Sequence, residues 1–253
     1  MAMLAEERRS RMLEIVQQKR FASLGELVEQ LAVSESTVRR DLEVLEEIGA
    51  AKRIHGGVLY TGPSPQMPHF QSQEARQSSS KRAIAQRTAE LISDGETLLL
   101  DGGSTTYEVA RRLVGRPLHI VTTSLPVANL FASDPNSDLV FIGGNICPRS
   151  GVARGPYANA MLDRVRVQKT ILSVAAVNDE GYFNNDLLLV ETERAMMRAA
   201  DEVIVAADST KFGRSSLAHI CPLGGVGRLV VDSSLEERWR QALREAGVAV
   251  VEA

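Results

Sequence analysis

The residues best equipped for chemistry stand where apolar runs end. After Thr97-Leu98-Leu99-Leu100 come Asp101, Gly102, Gly103, Ser104, Thr105 and Thr106, then Val109, Ala110 and Leu113 at helical spacing. Glycines without a Cβ, small hydroxyls and the first N–H groups of a helix together make a cradle for an anion the size of a phosphate. A simple turn plus helix cap uses the same residues, so the segment gains weight only from its company. The run HIVTTS ends in Thr123 and Ser124, DLVFIGG in Gly143 and Gly144 with Arg149 beyond, and EVIVAADS leads through Asp208 to Lys211. Asp101 and Asp208 could accept from sugar hydroxyls, and Lys81 or Lys211 could set a positive charge against a phosphate. Helix capping stays open as the role of either aspartate, and plain solvation as that of either lysine.

A second group, nearer the N-terminus, suits a different partner. Ser34, Glu35, Ser36, Thr37, Arg39 and Arg40 crowd the start of one candidate helix, and Lys52, Arg53, His55, Gly56 and Gly57 follow after Gly49. Arginine forks two donors onto guanine acceptors or a phosphate, and small hydroxyls let a helix approach a groove closely. The elements that position them are legible. Ser23 and Glu26 stand at capping-box spacing ahead of Leu24, Leu27, Val28 and Leu31, one face of a short helix. Ser34 can cap a second helix whose Val38, Leu42 and Leu45 repeat at i, i+4 and i+7. Two amphipathic helices two or three residues apart are a helix-turn-helix, with the basic ribbon at 52–57 as a wing and residues 6–19, carrying Met12, Leu13, Ile15 and Val16, as the first packing helix. The competing account of Glu35 and Arg39 is a solvated i,i+4 pair worth about 0.3 kcal/mol.

The stretch VSESTVRRDLEVLEEIGAAKRIHGG resembles the N-terminal signature of the DeoR family of bacterial transcription regulators, over roughly residues 8–60. The resemblance implies operator DNA as a partner, and repression rather than activation.

Between Tyr60 and Phe70 three prolines interrupt any periodicity, which stiffens a connection and forbids regular structure. The expected organisation is therefore a winged helix-turn-helix over 1–60, a linker over 61–75 and an effector-sensing domain over 76–253. That domain opens on a helix with Ile84, Thr88 and Leu91 on one side. It continues as seven short apolar runs, TLLLD, HIVTTS, DLVFIGG, KTILSVAAV, EVIVAADS, RLVVD and VAVVEA, with helical stretches near 104–113, 126–131, 191–200 and 235–246. Near-continuous Val/Ile/Leu strands alternating with helices predict an α/β domain with a mostly parallel, Rossmann-like sheet covered on both faces, whose ligands sit beyond the strand carboxyl ends. Residues 76–234 are similar to the C-terminal sensor domain of the same family, itself similar in fold to ribose-5-phosphate isomerase, on the strength of DGGSTT, VTTS, FIGG, ETERAMMRAAD and DSTKFG. This implies a phosphorylated sugar or related metabolite as effector, held by the DGGSTT loop with Lys81, Asp208 and Lys211 contributing.

Composition bounds the rest. The chain has 253 residues and a formal net charge of −3, so bulk charge does not announce a DNA binder and cations must be concentrated on one face. A single head would bind weakly, and a homodimer or homotetramer on adjacent half-sites is expected. No apolar run approaches a membrane span and MAMLAEERRS lacks a signal-peptide core, which predicts a cytoplasmic protein. Cys147 and Cys221 lie far apart without metal-ligand spacing, so buried free thiols are expected, with no metal and no cofactor.

The alternative is a sugar-phosphate isomerase-like enzyme. Such chemistry needs a placed carboxylate beside a carbonyl-polarising group. AAVNDEGYFNND offers Asp179, Glu180 and Asp186, but Ala175, Ala176 or Val177 stands where a leading acid is needed, and apolar Leu187–Val190 stands where a lysine-bearing loop is needed. Glu191 and Glu193 are expected in a first helical turn, complementing its dipole. Met196 and Met197 are expected to fill a core or a subunit contact. The sequence thus predicts a binding fold with no catalytic residues.

Overall fold

The computed structural model describes residues 5–19, 21–47, 51–54, 57–60 and 78–253. The chain divides into two compact units, Met1–Gln66 and Met67–Ala253.

In the first unit, helix α1 (Ala5–Lys19), strand β1 (Phe21–Ser23), helices α2 (Leu24–Leu31) and α3 (Glu35–Glu47), and strands β2 (Ala51–Ile54) and β3 (Gly57–Tyr60) form a winged helix-turn-helix. The capping box closes as its spacing predicts: Glu26 N donates to Ser23 Oγ at 3.2 Å and Ser23 N to Glu26 Oε2 at 2.8 Å. Met12, Val16, Leu27, Leu31, Val38, Leu42 and Leu45 make the core, with Ala51 and Val58 from the wing. Arg8 of α1 pairs with the buried Asp41 of α3 at 2.5 Å, a bond that raises the arginine's pKa further. The strands pair antiparallel in the order β1-β3-β2, setting Lys52 opposite Leu59 and Arg53 opposite Val58.

The turn between α2 and α3 depends on Ala32, whose φ of 51° is left-handed, the one positive φ outside glycine among the described residues. A Cβ in that region costs about 1 kcal/mol, so Ala32→Gly is expected to stabilise this unit by up to about that amount in urea unfolding followed by helical circular dichroism. A destabilised variant would show that chain entropy outweighs the relief of strain.

The second unit opens on helix α4 (Ser78–Ala89) and runs through seven parallel strands: β4 (Thr97–Leu100), β5 (His119–Thr122), β6 (Asp138–Phe141), β9 (Val167–Leu172), β12 (Ala200–Ala206), β14 (Arg228–Val231) and β15 (Ala249–Glu252). Their order is β15-β14-β12-β9-β4-β5-β6. Side chains alternate between two cores: Leu98, Leu100, Ile120, Ile171, Ile204 and Val230 face one way, Leu99, Val121, Leu172, Val205 and Leu229 the other. Helices α4, α5 (Ser104–Leu113) and α6 (Leu125–Phe131) cover the first face. Helices α7 (Pro156–Leu162), α8 (Leu187–Ala199) and α9 (Glu237–Glu245) cover the second. The inner strands are buried on both faces, which is why they read as unbroken apolar runs, whereas the edge strands β6 and β15 are only half-buried or exposed.

Three sequence expectations need correction. KTILSVAAV is two strands: β9 ends at Leu172, and β10 (Ala176–Asn178) joins β11 (Gly181–Asn184) and β13 (Ala218–Cys221) in a separate antiparallel sheet. The break falls at Ser173, whose backbone N–H turns to the Asp101 carboxylate at 3.3 Å. Helix α8 starts four residues earlier than its spacing suggests, because Asp186 caps it by accepting from Leu189 N at 3.0 Å. Leu187–Val190 are therefore helical, and Glu191 and Glu193 lie beyond the first turn. Cys221 is a buried thiol, pushed by burial up to about 12, whereas Cys147 is only half-buried. Met196 is in the core with Met197 packed against it. Among the described residues no helix is long and apolar enough to cross a membrane.

Candidate functional site

The chain passes from β4 outward to β5 and β6, and only later returns to place β9 on the other side of β4. That reversal opens a crevice at the carboxyl ends of β4 and β9, the place where open α/β sheets bind ligands. A hollow, partly open to solvent, lies there. Lys81, Asp101, Gly102, Gly103, Ser104, Thr105 and Lys211 of the sequence-predicted set line it together.

The cradle is built by Asp101, though not as a sugar acceptor. Its Oδ2 accepts from Gly103 N at 3.2 Å, Ser173 N at 3.3 Å and Ser173 Oγ at 3.2 Å, binding the loop after β4 to the end of β9. Burial pushes its carboxyl up, opposed by the N–H groups of Gly102, Ser173 and Gly103. Glycine is obligatory at both following positions: a Cβ on Gly102 would overlap Val152 Cγ2, and one on Gly103 would overlap Ser173 Oγ and stand 2.7 Å from Ser173 Cβ. Gly103 is the N-cap of α5 and supplies no side-chain cap, so the opening N–H groups of that helix are left for another acceptor. Lys211 ends a short 3-10 turn, Ser209–Lys211, and Lys81, only 4% exposed, comes from α4. Two lysines thus line the same hollow as a glycine-lined helix start.

Six predicted residues do not line the hollow. Thr106 is buried with its hydroxyl 2.9 Å from Ser173 Oγ, and Ser124 is buried as the cap of α6, accepting from Val127 N at 3.3 Å. Thr123 is buried between them and the sheet edge, its backbone carbonyl accepting from Ala153 N at 2.8 Å. Gly143 and Gly144 lie beyond β6, Gly144 against Ala158. Asp208 caps the 3-10 turn that carries Lys211, its Oδ1 accepting from Thr210 N at 3.2 Å. The hollow also takes residues that sequence reasoning passed over: Ser150 and Val152 from the hairpin of β7 (Asn145–Cys147) and β8 (Val152–Arg154), Ser173–Ala175, Asn184, Asn185 and Leu189. Behind Asn184 lies Glu193, wholly buried, its Oε1 accepting from Asn184 Nδ2 at 2.7 Å.

In the winged unit, Ser34 Oγ accepts from Thr37 N at 3.3 Å, and Val38, Leu42 and Leu45 turn inward. Glu35, Ser36, Arg39 and Arg40 are consequently exposed, and Thr37 half so. Arg39 and Glu35 do form the exposed i,i+4 pair, at 2.6 Å, while Arg40 makes no ion pair among the described residues. Lys52 and Arg53 sit on β2 and Gly57 opens β3. His55, Gly56 and the expected linker 61–75 lie outside the described residues.

A winged helix-turn-helix joined in one chain to an α/β unit with an anion-suited crevice defines a DNA-binding transcription regulator with a sensor domain. Comparison with known proteins agrees. The DeoR-like helix-turn-helix domain matches residues 8–63 and the DeoR C terminal sensor domain residues 76–233. The chain belongs to the DeoR family of transcription regulators. Similar relatives include the HTH-type transcriptional regulator YulB of Bacillus subtilis (strain 168), 30% identical over 249 residues covering 98% of this chain and 96% of that one. The glycerol-3-phosphate regulon repressor of Escherichia coli (strain K12) is 31% identical over 229 residues, 90% of each chain. The transcriptional repressor AccR of Agrobacterium fabrum is 31% identical over 231 residues, again 90% of each. These are named as regulators, not enzymes. Among solved structures, ribose 5-phosphate isomerase A of Methanocaldococcus jannaschii resembles 53% of this chain and 54% of its own, with a TM-score of 0.40 and 19% identity.

Proposed function

We propose that this regulator is a repressor of carbohydrate-metabolism genes, released or engaged by a phosphorylated sugar or related metabolite that binds in the crevice at the ends of β4 and β9. The observation that carries the reading is the cradle: two glycines that tolerate no Cβ, an uncapped helix start, and Lys81 and Lys211 on the same hollow. A phosphate monoester brings the charge and acceptor oxygens such a site satisfies, and Asn184, Asn185, Ser150 and Ser173 offer groups for hydroxyls. The repressors of glycerol-3-phosphate and aga operons among the relatives support the same class of effector. Ser34, Glu35, Ser36, Thr37, Arg39 and Arg40 form the groove-facing edge of α3, with Lys52, Arg53, His55, Gly56 and Gly57 as the wing. Residues 1–60, 61–75 and 76–253 serve as reader, linker and sensor, acting in the cytoplasm as a homodimer or homotetramer that places two readers on adjacent half-sites.

Binding shifts the DNA equilibrium only if the two states of the sensor differ in affinity for the metabolite. The test is a thermal-shift screen of sugar phosphates on the full chain, repeated with operator DNA. At least one compound should raise the melting temperature and change operator affinity, while no pentose or hexose phosphate is turned over. Robust isomerisation would restore the enzyme reading, and a screen without any hit would remove the crevice as the effector site.

A further inference from the structure

Glu193 is a carboxyl in an unusual place. It is wholly buried on α8, its Oε1 held by Asn184 of the pocket wall, while its Oε2 has no hydrogen-bond partner. Burial first, and then the charge of Asp101, push the Glu193 carboxyl up. The donors are divided unequally: Asp101 has Gly103 N, Ser173 N and Ser173 Oγ, and Glu193 has one amide. A buried carboxylate oxygen without a donor is costly, and two facing carboxylates cannot both ionise cheaply.

We propose that Glu193 sets the charge of the effector hollow: carrying a proton behind the Asn184 wall, it keeps a second negative charge, beside that of Asp101, away from the hollow and so favours a ligand that is an anion. This rests on the reading of the crevice as an anion site, and adds the residue that tunes it. Glu193 acts through Asn184 and through charge, and is a positioning residue. Asn184 is fixed from both ends, since its Nδ2 donates to Glu193 and its Oδ1 accepts from Asn185 N at 2.9 Å.

The consequence is a proton linkage whose sign follows from the surroundings. The groups facing Glu193 are Asp101 at the end of β4, Asn184 at the end of β11, and the Cys221 thiol on β13, which Glu193 helps to raise. Arg194, next in sequence, spends its guanidinium on the carbonyls of His219 and Ile220 and on Glu191. Burial first, then Asp101, hold the Glu193 carboxyl well above its ordinary range against the Asn184 bond. A bound anion adds negative charge and favours the neutral form further. Protons are thus taken up on binding wherever Glu193 is partly ionised, and affinity is highest below its raised pKa and falls as pH rises through it.

Sulfate, whose charge does not change above mildly acidic pH, is the probe. Calorimetric titration of sulfate into the full chain, in buffers of different ionisation enthalpy between about pH 5.5 and about pH 8.5, should show uptake of up to one proton per anion. Affinity should weaken by up to about tenfold per pH unit in the window where Glu193 titrates. Glu193→Gln keeps an acceptor for Asn184 but fixes the neutral state, so the uptake should vanish and the profile flatten. Sulfate bound by the wild type with no proton exchange at any pH would overturn the role of Glu193. Equal uptake in Glu193→Gln would do the same, by assigning the proton elsewhere. No sulfate binding by either protein is a different failure, that of the anion site itself.

Discussion

Gly103→Ala is expected to remove the response to a metabolite bound in the crevice while operator binding persists. The added methyl has nowhere to go, because Ser173 already fills its space. Moving Ser173 strips Asp101 of two of its three Oδ2 donors and unties the loop after β4 from β9. Losing a donor to a buried carboxylate costs about 1–3 kcal/mol, so the anion site should weaken on the order of 100-fold. The check is a titration with inorganic phosphate and the hits of the metabolite screen, beside an operator-binding measurement that reports on the winged unit. A full effector response in Gly103→Ala would place the ligand elsewhere. Lys211→Ala should act in the same direction by removing charge alone, without disturbing the loop.

The second large effect is on DNA. Arg40→Ala is expected to weaken operator binding by about 1–3 kcal/mol, roughly 5- to 150-fold, and to leave metabolite binding unchanged. Arg40 is exposed near the start of α3, outside the stripe of Val38, Leu42 and Leu45, and is not held by an internal acid. Its neighbour Arg39 is held, by Glu35, but an exposed pair of this kind is worth under about 1 kcal/mol and exchanges readily for a phosphate. A bidentate base contact by Arg40 would relax preference at one operator position, whereas a phosphate contact would weaken all sequences alike and lower the salt slope by about one. Unchanged affinity for operator and for random duplex would remove Arg40 from the reading surface.

The parts of this molecule that could be read from its sequence are those whose physics is local or repetitive. Inner parallel strands buried on both faces leave unbroken apolar runs, and the half-exposed edge strands β6 and β15 keep enough apolar residues that all seven were legible. The capping box of Ser23 and Glu26 and the 3.6-residue stripe of α3 were equally plain. The hairpin of β7 and β8 was not, since its strands are three residues long and Asn145 and Ile146 are exposed, leaving no alternation to detect. Ser173 was hidden because apolar residues resume at Val174 and disguise the end of β9. Glu193 resembled a surface acid of a helix start, and only the early cap at Asp186 turns it inward. The cradle residues were found by type and position after a strand, but the walls opposite came from elements that no motif links to DGGSTT. Asp208 takes the role that its type left open, an acid at a strand end serving as a cap.

The hairpin has a consequence for selectivity. Its Val152 bridges to Ser124, Ala153 N donates to Thr123 O at 2.8 Å, and Leu125 N donates to Gly151 O at 2.9 Å. Ser150 and Val152 are therefore fastened to the tip of β5 and do not drift over the crevice. If the crevice is the effector site, a boundary anchored in this way would act as a gauge, admitting metabolites by length and rejecting longer ones by collision. Retailoring positions 148–150, and sparing the anchoring Gly151, should accordingly exchange one metabolite for another while the anion grip and the scaffold beneath stay as they are.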